Sequence, residues 1–373
     1  MNEVKSAQPP PGRCGQLSPL THASKASAIR IKSRAVLRNA PRNLDGDALN
    51  AVLLTVIVLA LLAMLAGGSM LFALFIRRRV EAAVPPLGRF VQIGDTRLHI
   101  VERGTGPPLV LVHGLGAQLR NFSYALVERL AVNFHVVCVD RPGCGYSTRP
   151  PTTSASLSGQ ADTIASLLTA LRLERPIIVG HSYGGALALA LTLNHPESVG
   201  GLALLAPLTH PQTAVPPAFR DFVIPSARLR KAIAWTIATP IAIAASSKIL
   251  DQVFRPDAAP ADFATAAGGL LALRPGHFFA ASSDLVAVND DLPAMVGRYP
   301  SIRVPVGILF GRHDEILNYQ DHGTAMLSKI AGSTVSLVDG GHMLPIAAPD
   351  ETARWITEFA QRLNRRNHAD SAA

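Results

Sequence analysis

The sequence predicts an α/β protein: a mostly parallel central sheet covered by helices, with a helical cap inserted late in the chain and a transmembrane helix ahead of the sheet. Three observations predict it. Short apolar runs at residues 109–112, 136–139, 176–179, 202–205 and 304–310 alternate with stretches of helical period, the pattern of parallel strands buried on both faces. That rhythm lapses between Thr209 and about Tyr299, where helix-like stretches stand without strands. Residues 51–76 carry no charge and are dominated by Leu, Val, Ile and Ala, a run long enough to cross a bilayer with some tilt.

Taken in order, residues 1–50 are rich in Pro, Ser, Ala, Lys and Arg, show no period, and read as a disordered basic tail. The apolar run that follows is too long, and starts too late, for a cleaved signal peptide. It is apolar on every side, unlike a surface helix of a soluble core. It ends at Arg77, Arg78 and Arg79, and residues 77–87 read as a linker. Four Lys/Arg lie within twenty residues before it and four after, so charge asymmetry selects no orientation.

The charge balance separates two parts of the chain. Up to Arg79 there are 11 Lys/Arg against 3 Asp/Glu, and from Val80 onward 24 against 23. The folded part is near neutral, which removes the main support for nucleic-acid binding. An apolar fraction of 48% excludes wholesale disorder. Cys14, Cys138 and Cys144 have no metal-ligand spacing, and neither a ligand cluster nor a phosphate loop appears, so the sequence calls for no metal or organic cofactor.

Strands at 90–93 and 97–101 flank the hairpin signal Gly94-Asp95. Strand 109–112 leads into His113-Gly114-Leu115-Gly116, and a helix is expected over 122–130. Strand 136–139 leads into Asp140-Arg141-Pro142-Gly143-Cys144-Gly145-Tyr146-Ser147. Leu157, Ala161, Ile164, Leu168 and Leu171 mark a helix by their spacing. Strand 176–179 feeds Gly180-His181-Ser182-Tyr183-Gly184-Gly185 and a helix that stops at His195-Pro196. Strands over 202–205, 304–310 and 334–338 and a terminal helix over 350–363 complete the pattern. The parts are a first core segment (88–207), the cap (208–300), a second core segment (301–365) and a tail (366–373).

Gly180-x-Ser182-x-Gly184 between an apolar strand and a helix is a nucleophile-elbow pattern. The turn needs small flanking residues, because the backbone at the serine is strained and its neighbours pack closely. Asp314 follows one strand end and His342 another, in the order Ser, acid, His that this arrangement uses. His342 is then the general base for Ser182, and Asp314 holds its tautomer. Glu315 and the Asp290-Asp291 pair are the rival acids. His313 has the wrong place in the order, and His181 reads as packing behind the nucleophile. Two backbone N–H groups, of Leu115 and Tyr183, are the expected oxyanion donors, with His113 bracing the loop and Gly114 and Gly116 leaving it room.

These pieces, with Gly311-Arg312-His313-Asp314 and Gly341-His342-Met343-Leu344-Pro345, resemble the α/β-hydrolase superfamily, in the branch of fold-1 carboxylesterases, over about residues 88–363. Epoxide hydrolases and haloalkane dehalogenases on this frame carry an aspartate nucleophile, against which Ser182 speaks. The anchor before the domain resembles bacterial membrane-anchored hydrolases of the branch, which implies a single-pass inner-membrane protein. The resemblance implies a fold and says little of substrate. The expected activity is cleavage of small-molecule carboxylic esters with apolar or lipid-like groups. C–C bond hydrolysis or cofactor-free perhydrolysis by the same triad is the alternative, and a non-catalytic binding protein is the third reading. Trp235, His277 and Phe278 in the cap are the expected substrate contacts, and Pro240 is expected to kink the apolar run of residues 232–245.

Overall fold

The structure, a computed structural model, describes residues 46–372. The expected basic tail lies outside the described residues up to position 45, as do Cys14 and Ala373. The described chain separates into two units, one ending at Ala63 and the other starting at Met64. Helix α1 (Gly46–Ala83) is long and apolar enough to cross a membrane. It extends through the expected linker as far as Ala83. Arg77 bonds Glu81 one turn on at 3.0 Å, and Val80 and Val84 are buried together with Leu271, with Ile76 packed beside them. Ile76, Val80 and Val84 are spaced by four, a helical stripe that the charges around it mask in a reading by composition.

In the second unit the strands form one eight-stranded sheet. In chain order the elements are β1 (Arg89–Ile93), β2 (Thr96–Arg103), β3 (Pro108–Val112), α2 (Arg120–Ser123), α3 (Leu126–Leu130), β4 (His135–Val139), α4 (Leu157–Ala170), β5 (Ile177–His181), α5 (Tyr183–Asn194) and β6 (Gly201–Leu205). The cap helices are α6 (Ala227–Thr236), α7 (Ala238–Phe254) and α8 (Pro275–Val296). After them come β7 (Val306–Gly311), α9 (Tyr319–His322), β8 (Thr334–Val338), α10 (Leu344–Ala347) and α11 (Pro349–Ala372). The spatial order is β1-β2-β4-β3-β5-β6-β7-β8. The β1–β2 and β2–β4 pairs are antiparallel, and every later pair is parallel. The α/β fold with a mostly parallel sheet is as predicted.

Core packing follows strand alternation. On β3, Val110 and Val112 join the layer under α4 and α5, whereas Leu109 and Leu111 join the opposite layer with Phe122, Leu126, Trp355 and Phe359. Three local expectations differ. The helix over 122–130 is two short pieces, because the chain leaves helical geometry at Ala125. The terminal helix reaches Ala372, into the expected tail. The apolar run of residues 232–245 bends by 76°, but at Ile237 rather than at Pro240, which places the proline in the first turn of α7, where its missing N–H costs no helical bond.

Sheet register brings the motifs together. Val112 pairs with Gly180, so the loops after β3 and β5 leave the sheet side by side. Gly311 pairs with Val338, which does the same for the loops after β7 and β8. Residues at the C-terminal ends of such strands face a common crevice.

Candidate active site

Ser182 sits at the turn between β5 and α5 with φ 54° and ψ −120°, a conformation that costs a non-glycine residue about 1–3 kcal/mol. The neighbours explain the glycines around it. A Cβ at Gly180 would stand 2.5 Å from Gly184 O, and one at Gly184 only 2.0 Å from Val112 O. Ser182 is the N-cap of α5, and the N–H of Tyr183, the first helical residue, has no partner within the helix.

His342 Nδ1 lies 2.7 Å from Asp314 Oδ2, with both side chains buried. The other carboxylate oxygen, Oδ1, accepts from the N–H groups of Ile316 and Leu317 at 2.8 and 2.9 Å. Both oxygens are thus held, and one faces the imidazole. Glu315 instead faces Arg255 at 3.7 Å and is exposed. Asp291 accepts from the N–H of Leu157 at the start of α4. His313 is exposed beside Asp339. His181 donates from Nε2 to the carbonyl of His342 at 3.0 Å, and burial lowers its pKa to about 3, so it is neutral at ordinary pH. Of the rival acids, only Asp314 reaches the imidazole of His342.

On the other side of the serine, a Cβ at Gly114 would approach Ser182 Cβ to 3.1 Å. The loop after β3 is therefore in contact with the nucleophile position. Gly116 has φ +61°, which a side chain would strain. His113 is wholly enclosed, and its Nδ1 donates to Gly114 O at 2.9 Å. Burial lowers its pKa to about 3.

Ser182, His181, His342, Leu115 and Gly116 line one cavity of about 460 Å³, a size suited to a small-molecule ligand. Its remaining wall comes mainly from the cap and is largely apolar: Phe219, Phe222, Ile243, Ile249, Leu250 and Phe278 are among its residues. His277 lines it as well, neutral because burial lowers its pKa to about 4. Among the described residues its Nδ1 has no hydrogen-bond partner. Trp235 is half-buried on α6 and is not part of the wall. The helix break at Ile237 leaves α7, rather than α6, to supply the apolar wall. Reading the sequence missed Phe219, Phe222 and Met343 as lining residues. Only Met343, next to His342, had a signal of position. Gln118 and Asn121, also in the wall, donate to Ala267 O of the cap at 2.7 and 3.2 Å.

The fold is that of an α/β hydrolase, and the chain belongs to the α/β hydrolase fold family, whose model matches residues 107–349. It is similar to a 2-hydroxymuconate semialdehyde hydrolase of Pseudomonas sp. (strain CF600), with 33% identity over 123 residues. That stretch covers 32% of this chain and 44% of the relative, so the match spans under half of the relative's length. Among solved structures it resembles the enol-lactonase of Burkholderia xenovorans LB400 (TM-score 0.60, 22% identity, 73% of this chain and 100% of that one). It also resembles a membrane phospholipase A described as a bacterial virulence factor (TM-score 0.55, 22% identity, 86% and 99%). At these identities the solved structures speak to the fold.

Proposed function

We propose that the chain is a membrane-anchored serine hydrolase that cleaves carboxylic esters of apolar or lipid-like substrates through an acyl-enzyme on Ser182. The observation that carries this reading is the Asp314–His342 hydrogen bond at 2.7 Å, set beside a strained Ser182 in an apolar cavity. His342 Nε2 takes the Ser182 hydroxyl proton as Oγ attacks the ester carbonyl carbon. The carbonyl oxygen becomes an oxyanion held by the Leu115 and Tyr183 N–H groups. On collapse, the C–O bond to the alcohol breaks and His342 passes its proton to the departing alkoxide. A water, deprotonated by the same imidazole, then releases the acid and restores Ser182. Asp314 stabilises the imidazolium and fixes its orientation.

The apolar wall supports a hydrocarbon group beside the scissile carbonyl, and α1 supports attachment to the bilayer. The test is hydrolysis of p-nitrophenyl esters of increasing acyl length by the full chain in detergent, with Ser182→Ala as control. Turnover that rises with chain length and vanishes in the variant is expected; turnover unchanged in Ser182→Ala would sink the acyl-enzyme. A second reading, C–C bond hydrolysis by the same groups, is favoured by the similarity to the semialdehyde hydrolase. Rapid turnover of a ring-cleavage dione with negligible ester hydrolysis would put it first.

A further inference from the structure

Behind the cavity stands a buried ionic cluster that the proposed steps do not use. Asp284, on α8 of the cap, is fully enclosed, and its carboxylate meets Arg141 at 2.7 Å, Gln160 at 3.4 Å, and Arg149. Two guanidinium groups against one carboxylate leave the cluster with an excess positive charge. Burial of such groups is costly and is weak evidence of a role in stability, so the other contacts of Arg141 matter.

Arg141 is completely buried, on the loop after β4. Its Nε donates to His113 O and its Nη2 to Gly114 O, both at 3.0 Å, and its guanidinium lies 4.3 Å over the Tyr183 ring. Its backbone N–H donates to His113 Nε2 at 3.0 Å, which leaves His113 Nδ1 to carry the proton given to Gly114 O. The Gly114 carbonyl therefore receives two donors from one side. In a trans peptide the C=O and the following N–H point in opposite directions, and the Gly114–Leu115 bond is trans. Holding Gly114 O toward Arg141 turns the Leu115 N–H to the other face of that peptide, and it is free there of other backbone acceptors among the described residues.

We infer that Arg141 is the positioning residue of the oxyanion hole and that Asp284 makes the cap part of it, so that the Leu115 N–H is aimed only while α8 holds the guanidinium in place. This rests on the acyl-enzyme reading, because only a developing oxyanion needs that N–H. The excess positive charge behind the hole also has the sign that favours an oxyanion, in a site where water screens little.

The test uses the full chain in detergent, ester hydrolysis, and inhibition by an alkyl trifluoromethyl ketone, which adds to a serine and places an oxyanion in the hole. Arg141→Lys keeps the charge but cannot span His113 O, Gly114 O and Asp284 together. Arg149→Lys perturbs the same carboxylate, while Arg149 bonds Ala280 O rather than the oxyanion loop. Arg141→Lys is expected to lower kcat about 10²–10³-fold, the usual loss for one oxyanion donor. KM should stay within about threefold while inhibitor affinity falls in step with kcat/KM, the mark of an interaction made in the transition state. Arg149→Lys should lower Tm to a similar extent and change kcat by less than about fivefold. Asp284→Asn, close in shape, should lose about tenfold in kcat with the same inhibitor signature, and it carries the test if Arg141→Lys does not fold. Equal kinetic effects at Arg141 and Arg149, or a kcat loss with unchanged inhibitor affinity, would overturn the positioning role. Ser182→Ala is read separately: residual full turnover there overturns the acyl-enzyme itself, while a dead Ser182→Ala with no contrast between the two arginines overturns only this inference.

Discussion

The strand-end loops and the helical segment between β6 and β7 face the same cavity, yet they are built by different physics. In the loops the polar side chains near Ser182 are held largely by backbone partners, and the turn at the serine is packed too tightly for side chains at its glycines. Asp314 uses both oxygens, and a Cβ at Gly184 has no room. The cap presents an apolar wall with room to vary, and some of its large side chains, Ile237 and Ile241 among them, are exposed on the outside. Polar links tie it to the loops at several points: Asp284 meets Arg141 and Arg149, Ala267 O accepts from Gln118 and Asn121, Arg274 donates to Gly145 O, Asp257 accepts from the Gly341 N–H, and Arg255 faces Glu315. The contrast sets a part held by backbone hydrogen bonds and tight turns against an apolar wall, with polar contacts joining the two.

Mutations in the loops should then act on kcat, and mutations in the cap wall on substrate preference. The largest effect is expected for Ser182→Ala, a loss of kcat on the order of 10⁶-fold with unchanged Tm, measured by burst and steady-state kinetics. Asp314→Asn should follow at about 10⁴-fold, because the imidazole loses the partner that sets its tautomer; a Glu315→Gln variant with an equal loss would reverse the assignment of the acid. Gly184→Ala tests the packing side of the comparison. With its Cβ forced against Val112 O, it should destabilise by about 3 kcal/mol in denaturant titration, and a wild-type midpoint would mean that the turn is softer than its geometry. In the cap, Phe278→Ala should shift the preferred acyl length and change kcat/KM for short against long esters by about tenfold, with kcat on the best ester little altered. A uniform fall across the series would place Phe278 with the loops rather than the wall.

A last prediction concerns stability against pH. Burial lowers the pKa values of His113 and His181 to about 3 and those of His277 and His322 to about 4, whereas an unfolded histidine titrates near 6.5. Between those values the unfolded chain binds protons that the folded chain does not. Stability is therefore fully present above about pH 6.5, falls as the pH drops below it, and levels off near pH 3. Melting temperatures across pH 4–8 check this, and a flat profile would contradict the burial of these rings.

Much of the fold was legible because parallel strands must be apolar on both faces, and the order of short runs and helices reports that directly. The location of Ser182, Asp314 and His342 was legible for a related reason. A strained turn needs Gly180 and Gly184 in fixed places, and strand ends mark the loops from which an acid and a histidine can face the crevice. Local composition hides a tertiary partner at residues 77–83, which are helical rather than a linker, supported by the Arg77–Glu81 pair and by Val80 packed near Leu271. Trp235, conspicuous as one of two tryptophans, lies outside the cavity wall because the chain bends at Ile237.

By itself, then, the sequence determined the α/β class, the strand order in time along the chain, the anchor-like apolar helix and the residues that a serine hydrolase would use. Only the tertiary structure decided which cap residues face Ser182, that Asp314 rather than Glu315 meets His342, and that Asp284 is tied through Arg141 to the Gly114–Leu115 peptide. The physical reason is range. Strand burial and turn strain are imposed within a few residues of the chain, whereas a wall of side chains and a buried charge cluster are assembled from segments more than a hundred positions apart, whose meeting no local pattern records.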